Sequence, residues 1–190
     1  MIAKVQLWGR TIGAVSLAER REVATFQYDT EFARSGIEIS PLSMPLSERV
    51  HQFPALPRET FHGLPGLLAD SLPDRFGNAL IDAWLATQGR TPDSFNAVER
   101  LCYTGKRGMG ALEFAPVLGP SERKTTKIEI DALVRLAGEV LTHRNDLQGH
   151  FHDTGREKAL RAILSVGTSA GGARAKAVIA WNPASNEVRS

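Results

Sequence analysis

Residues 166–176 read Val-Gly-Thr-Ser-Ala-Gly-Gly-Ala-Arg-Ala-Lys, a run of small and hydroxyl-bearing residues closed by two cations and leading straight into an apolar stretch at 177–181. Adjacent glycines let backbone N–H groups come close to a phosphate, because no Cβ blocks the approach. Arg174 and Lys176 carry the positive charge that phosphate oxygens take. Thr168 and Ser169 put two nucleophile-capable hydroxyls at the crest of the loop. The stretch lacks the Gly-Lys-Ser/Thr ending of a Walker loop, and its glycine spacing differs from that of dinucleotide-binding folds. A tight turn between a helix and a strand accounts for the same glycines. On residue chemistry alone both readings stand.

Other constellations reduce to structural roles. Lys106-Arg107-Gly108-Met109-Gly110 mixes cations with glycine, as a helix C-terminus followed by a turn does. His143-Arg144-Asn145-Asp146 has the outline of a kinase catalytic loop, but an amide stands at Asn145 where a proton-accepting carboxylate is needed. Asp153-Thr154-Gly155 precedes the glycine loop, whereas a kinase metal tripeptide follows it. His143, His150, His152 and Asp153 lack the spacing and the cysteine partners of a metal site. Cys102 falls on an apolar helical stripe and reads as core. Asp70, Asp74 and Arg75 lie near a helix start, where carboxylates favour the dipole.

The elements that must position these residues follow from periodicity. Val5 and Leu7, then Ile12, Val15 and Leu17, then Ala24, Phe26 and Tyr28 predict a β-meander, with turns at Gly9-Arg10 and 18–21. The second run does not keep a strict two-residue period. Residues 29–35 predict a short helix stopped by Gly36, and 37–39 an extended piece. Pro41, Pro45, Pro54, Pro57 and Pro65 exclude a long helix across that stretch. A helix then starts near Pro73 with Asp70 and Ser71 as caps, and runs through Phe76, Leu80, Ile81, Trp84 and Leu85 to Gly89. Thr91-Pro92 opens a second helix that turns Phe95, Val98, Leu101 and Cys102 inward. Residues 105–110 end it before a strand at 111–114. The polar stretch 119–127 predicts an exposed linker between a domain over 1–118 and another over 128–190. Helices at 129–147 and 157–164 lead into the glycine loop and its strand.

Composition narrows the class. The 190 residues carry a formal net charge of +2, with 42% hydrophobic and 23% charged residues, which is ordinary for a soluble globular protein and gives no broad field for a polyanion; the β-rich start and helical middle make the expected fold class α+β. The lone Cys102 excludes an intrachain disulfide framework and fits a reducing compartment. Residues 1–9 lack a signal-peptide apolar region, and no apolar run reaches membrane-spanning length. A cytoplasmic protein with no membrane partner is expected.

Three segments in order carry a resemblance. They are residues 61–78 (Phe-His-Gly-Leu-Pro-Gly-Leu-Leu-Ala-Asp-Ser-Leu-Pro-Asp-Arg-Phe-Gly-Asn), residues 101–112 (Leu-Cys-Tyr-Thr-Gly-Lys-Arg-Gly-Met-Gly-Ala-Leu) and residues 168–176. Together they resemble the HipA-like proteins, serine/threonine kinase toxins of bacterial toxin–antitoxin modules. The resemblance implies an N-terminal β-meander subdomain with helices, followed by the start of a kinase-like N-lobe. It makes Gly171, Gly172, Ala173, Arg174, Ala175 and Lys176 the ATP-binding residues and Ser169 the site of autophosphorylation. Added negative charge on a loop that must receive ATP phosphates fits self-inactivation. It further implies magnesium in the complete protein, a helix-turn-helix antitoxin that binds operator DNA, and a protein substrate, an aminoacyl-tRNA synthetase in the best-known members.

In that family the base aspartate and the metal-holding carboxylates lie beyond the position of Ser190. The resemblance therefore predicts that this chain is an N-terminal fragment, with no catalytic or metal-ligating residue of its own and no activity alone. Residues 187–190 would begin a returning strand, an unusual place for a domain to stop. The alternative is a standalone N-terminal module that binds and restrains a separately encoded kinase.

Overall fold

The computed structural model describes residues 1–19, 21–108, 110–119, 138, 180–185 and 187–189. They fall into two compact units, one of Met1–Leu72 with Asn96–Leu118 and one of Pro73–Phe95 with Gly119–Ser190.

The first unit is an antiparallel sheet closed on one face by short helices. Strands β1 (Ile2–Leu7), β2 (Arg10–Ser16) and β3 (Thr25–Tyr28) form the expected meander. Two edges complete the order β4-β3-β2-β1-β5, with β4 at Val50–His51 and β5 at Leu112–Ala115. Alternation drives the layering: Ala3, Val5, Val15, Phe26 and Phe114 are buried, while Lys4, Ala14, Gln27 and Val50 lie exposed in one cross-strand row. The broken period in the second run has a cause. Val5 pairs with Gly13 and Gln6 with Thr11, so Ile12 is the extra residue of a β-bulge, and both Ile12 and Gly13 are buried.

Helix α1 (Thr30–Ala33) is started by Asp29, whose carboxylate accepts from the Glu31 and Phe32 amides and fixes Phe32 in the core. The piece expected to be extended at 37–39 is irregular, and the strand in that excursion is instead the two-residue β4. Helices α2 (Arg58–Phe61) and α3 (Gly66–Ala69) are single turns set between the prolines. Leu64 and Leu68 from this region, with Val98, Leu101 and Cys102 from α5 (Ala97–Thr104), complete the core over the sheet.

In the second unit, α4 spans Arg75–Thr87 and ends as expected just before Gly89. Its cap is Asp74, which accepts from the Gly77 amide at 2.8 Å, rather than Asp70 or Ser71. Pro73 accordingly stands before the cap, not in the first turn. Thr91-Pro92 opens only a 3-10 turn, Pro92–Ser94. Phe95 follows that turn and packs edge-on against Trp84 at 6.0 Å with the Arg90 guanidinium over its ring. Strands β6 (Ala180–Asn182) and β7 (Glu187–Arg189) form an antiparallel hairpin, so residues 187–189 do return as a strand.

Candidate functional site

Ser169, Gly171, Gly172, Ala173, Arg174, Ala175 and Lys176 lie outside the described residues, as do the helices expected at 129–147 and 157–164. The other two motif segments lie largely within the described residues.

The first segment is a welding strip. His62 takes a left-handed φ of 53° and closes α2 through its amide on the Arg58 carbonyl. Gly63 follows at φ 77°, so close to the β2–β3 connection that a Cβ there would sit 2.1 Å from the Glu22 carbonyl oxygen. Its own carbonyl accepts from the Ala24 amide at 2.8 Å, and Arg58 pairs with Glu22 across the same junction. Only glycine meets both demands, positive φ and no side chain. Leu64 and Leu68 then enter the core fully buried. Asp74 is absorbed by capping, and Asn78 Nδ2 donates to the Pro73 carbonyl at 2.7 Å. Gly63 thus serves closure of the first unit.

The second segment begins on α5. Asn96 accepts from the Val98 and Glu99 amides, and Glu99 accepts in return from the Asn96 amide at 2.7 Å, a complete capping box. Cys102 is fully buried, and burial first, then the Glu99 charge, pushes its thiol up to about 11. That is the opposite of an activated thiolate. Tyr103 is buried under the Arg107 guanidinium, 5.1 Å from its ring centre, and desolvation raises its phenol well above the ordinary range. Gly105 ends the helix and accepts from the Phe114 amide, which ties α5 to β5.

The β1–β2 turn completes the picture at one end of the sheet. Leu7 pairs with Arg10, so the turn residues are Trp8 and Gly9, one position earlier than the sequence expectation. Both have positive φ, 48° and 80°, as a type I′ hairpin turn requires. Trp8 is 79% exposed, and its amide donates to the Ala111 carbonyl at 3.3 Å. Arg10 lies over the Phe32 ring, and Lys106 reaches Glu113 at 3.6 Å. Among the described residues no group of three or more His, Cys, Asp or Glu side chains is placed to hold a metal ion. None of the described helices is long and apolar enough to cross a membrane.

The fold and its motif segments have a match among known families. A family model described as the HipA N-terminal domain matches residues 3–115. The chain belongs to that family. The HipA N-terminal match begins within β1 and ends at the last residue of β5, so it takes in the five-stranded sheet, its covering helices, α4 and both described motif segments. No curated protein matches the chain. The HipA resemblance expected from the motifs is thus shown over this portion, and so is the α+β N-terminal subdomain. What sequence reasoning placed one residue late is the Trp8-Gly9 turn. The available signal was the dipeptide Trp8-Gly9 between two alternating runs, a place that Asn-Gly or Asp-Gly more often fills.

Proposed function

We propose that this chain is the N-terminal portion of a HipA-like protein serine/threonine kinase of a toxin–antitoxin module. The observation that carries the proposal is the HipA N-terminal match over residues 3–115, followed in the same chain by a glycine loop that ends in Arg174 and Lys176. The backbone amides of Gly171, Gly172, Ala173 and Ala175, with the charges of Arg174 and Lys176, would receive the ATP phosphates. Ser169 would be the self-modified hydroxyl. In the complete kinase magnesium would be held by carboxylates that the resemblance assigns to none of these residues, so this chain alone is expected to transfer no phosphate. A helix-turn-helix antitoxin would be the restraining partner, with operator DNA reached through it. The substrate class is a protein, an aminoacyl-tRNA synthetase by the resemblance.

The test is phosphate mapping by mass spectrometry after incubating the gene product that carries these residues with magnesium and ATP. Phosphate on Ser169, lost in Ser169→Ala, is expected for the kinase, with none on the 190-residue chain alone. Transfer by the isolated chain would overturn the division of labour proposed here. A second reading, a standalone module that restrains a separate kinase, is favoured by one observation: the first unit closes its own core within Met1–Leu72 and Asn96–Leu118. Reading the gene past codon 190 separates the two. A continuing frame with the two aspartates supports the kinase, and a stop supports the module.

A further inference from the structure

Helix α4 is buried beyond what a single apolar stripe needs. Phe76 and Leu80, Ala79 and Ala83, and Gly77, Ile81 and Leu85 form three adjacent rows stepped by four residues, and all are buried. With 3.6 residues per turn these rows take up more than half of the circumference, the pattern of a helix enclosed by packing rather than laid on a surface. None of these side chains belongs to the core over the sheet or packs against it. Phe95 packs on Trp84, which is itself only half-buried. The cover therefore comes from the rest of the second unit, residues 119–190. Within that stretch residues 181–185 of the hairpin are exposed and do not supply it.

We infer that the apolar face of α4 is the docking site for the amphipathic stretch 129–147 of the same chain. Ile130, Leu133, Leu136, Ala137, Val140 and Leu141 recur there at helical spacing. Gly138, which is not part of that stripe, is helical and exposed. Length selects this stretch over the shorter one that follows it. Helix α4 has 13 residues, about 20 Å at 1.5 Å per residue. Apolar positions 130–141 run for about 17 Å, whereas a helix over 157–164 runs for only about 12 Å. Residues 73–95 leave the first unit after Leu72, and the chain re-enters it at Asn96. The docked helix thus ties the stretch matched to the HipA N-terminal domain to the part of the chain that carries the glycine loop.

The experiment uses the 190-residue chain with a site-specific protease sequence inserted between Ser121 and Glu122. Gel filtration after cleavage reads whether residues 1–121 and 122–190 stay together. Hydrogen exchange of the peptide over 22–28 reads the first unit separately. The two pieces of the otherwise unsubstituted chain are expected to co-elute. Ile81→Asp and Leu136→Asp each put a charge into the contact, so each should release the 122–190 piece while protection over 22–28 stays unchanged. Thr87→Lys, at an exposed position of α4, should release nothing. Separation of the unsubstituted pieces, their retention in Ile81→Asp, or release by Thr87→Lys would each overturn the inference. Release by Ile81→Asp but not by Leu136→Asp would overturn it by assigning the cover to another stretch. Loss of protection over 22–28 in Ile81→Asp would overturn it as well, because α4 would then belong to the first core.

Discussion

Two glycines of the first unit share a backbone conformation and differ in what surrounds them, which turns Gly63→Ala and Gly9→Ala into a controlled pair. Gly9 has φ 80° and nothing within 4 Å of an added Cβ. Gly63 has φ 77°, but its Cβ would meet the Glu22 carbonyl oxygen at 2.1 Å and the Glu22 carbonyl carbon at 3.2 Å. The left-handed conformation costs an alanine about 1–2 kcal/mol at either site. Gly9→Ala carries that cost alone. At Gly63 the clash is with backbone, which cannot rotate away, so the strip and the β2–β3 connection must separate by about 1 Å. Overpacking of that kind costs about 1–3 kcal/mol. The separation also stretches the bond from the Ala24 amide to the Gly63 carbonyl, 2.8 Å in the native fold, worth about 1 kcal/mol. Gly63→Ala should therefore destabilise by about 3–6 kcal/mol, a large part of the roughly 5–15 kcal/mol that holds a domain together.

Urea unfolding followed by far-UV circular dichroism measures both variants. Hydrogen exchange of the peptide over residues 22–28 localises the effect. Gly9→Ala should shift the midpoint modestly and leave protection of that peptide unchanged. Gly63→Ala should strip its protection and move the midpoint several times further. If the two variants cost the same within about 0.5 kcal/mol, the close approach at Glu22 is not limiting and the welding role of the first motif segment fails.

Three further outcomes are expected. Asn96→Ala removes the acceptor of two α5 amides and leaves Glu99 without its reciprocal geometry, so it should lose about 1–2 kcal/mol in the same unfolding assay; Asn96→Asp, which keeps an acceptor, should lose far less. Burial of His51 against Phe26 and Tyr28 lowers its basicity, so the folded state favours the neutral ring. The stability it contributes is complete above the ordinary histidine range near pH 6.5 and declines as pH falls below it. His51→Phe should flatten that acid-side slope in urea midpoints taken across pH 5 to about 7.5; an unchanged slope assigns it to other groups. Cys102, with its thiol pushed up to about 11 and no exposure, should resist iodoacetamide in the native chain at neutral pH and react at once in urea. Labelling of the native chain would mean that α5 opens readily.

The sheet was legible wherever burial alternates and illegible wherever a single residue breaks the rule. Val5, Phe26 and Tyr28 announce their strands, because one face is covered and the other is not. The bulge at Ile12 hides the period of β2, and β4 has too few residues to show any period at all. His51 packing on Phe26 and Tyr28, with Gln27 Nε2 bonded to the Glu48 carbonyl, holds β4 in place, and those contacts are long-range. Helix starts failed where several capping residues compete. Asp70, Ser71 and Asp74 all qualify by type, and Asp74 caps because the chain has left α3 and passed Pro73 only by then. Thr91-Pro92 likewise starts a turn, while Asn96 with Glu99 three residues on starts the helix. The family was legible from the motif order of segments 61–78 and 101–112, in which the backbone facing Gly63 dictates that residue's type.

Trp8 is the residue that fold stability does not explain. Its left-handed conformation costs about 1–2 kcal/mol relative to glycine. Against that, about a fifth of the indole surface is buried, roughly 50 Å² of an area near 250 Å², which returns about 1 kcal/mol at 25 cal/mol per Å². The two nearly cancel, so the hairpin gains almost nothing from tryptophan over the asparagine or glycine that the turn accepts more easily. Gly63 shows the contrast, because there the residue type is dictated by the backbone facing it. At Trp8 the turn asks for a positive φ but not for an aromatic, and the residue is 79% exposed. An aromatic held in a left-handed conformation that costs stability, and turned away from the core, is thus a residue whose type the hairpin itself does not call for.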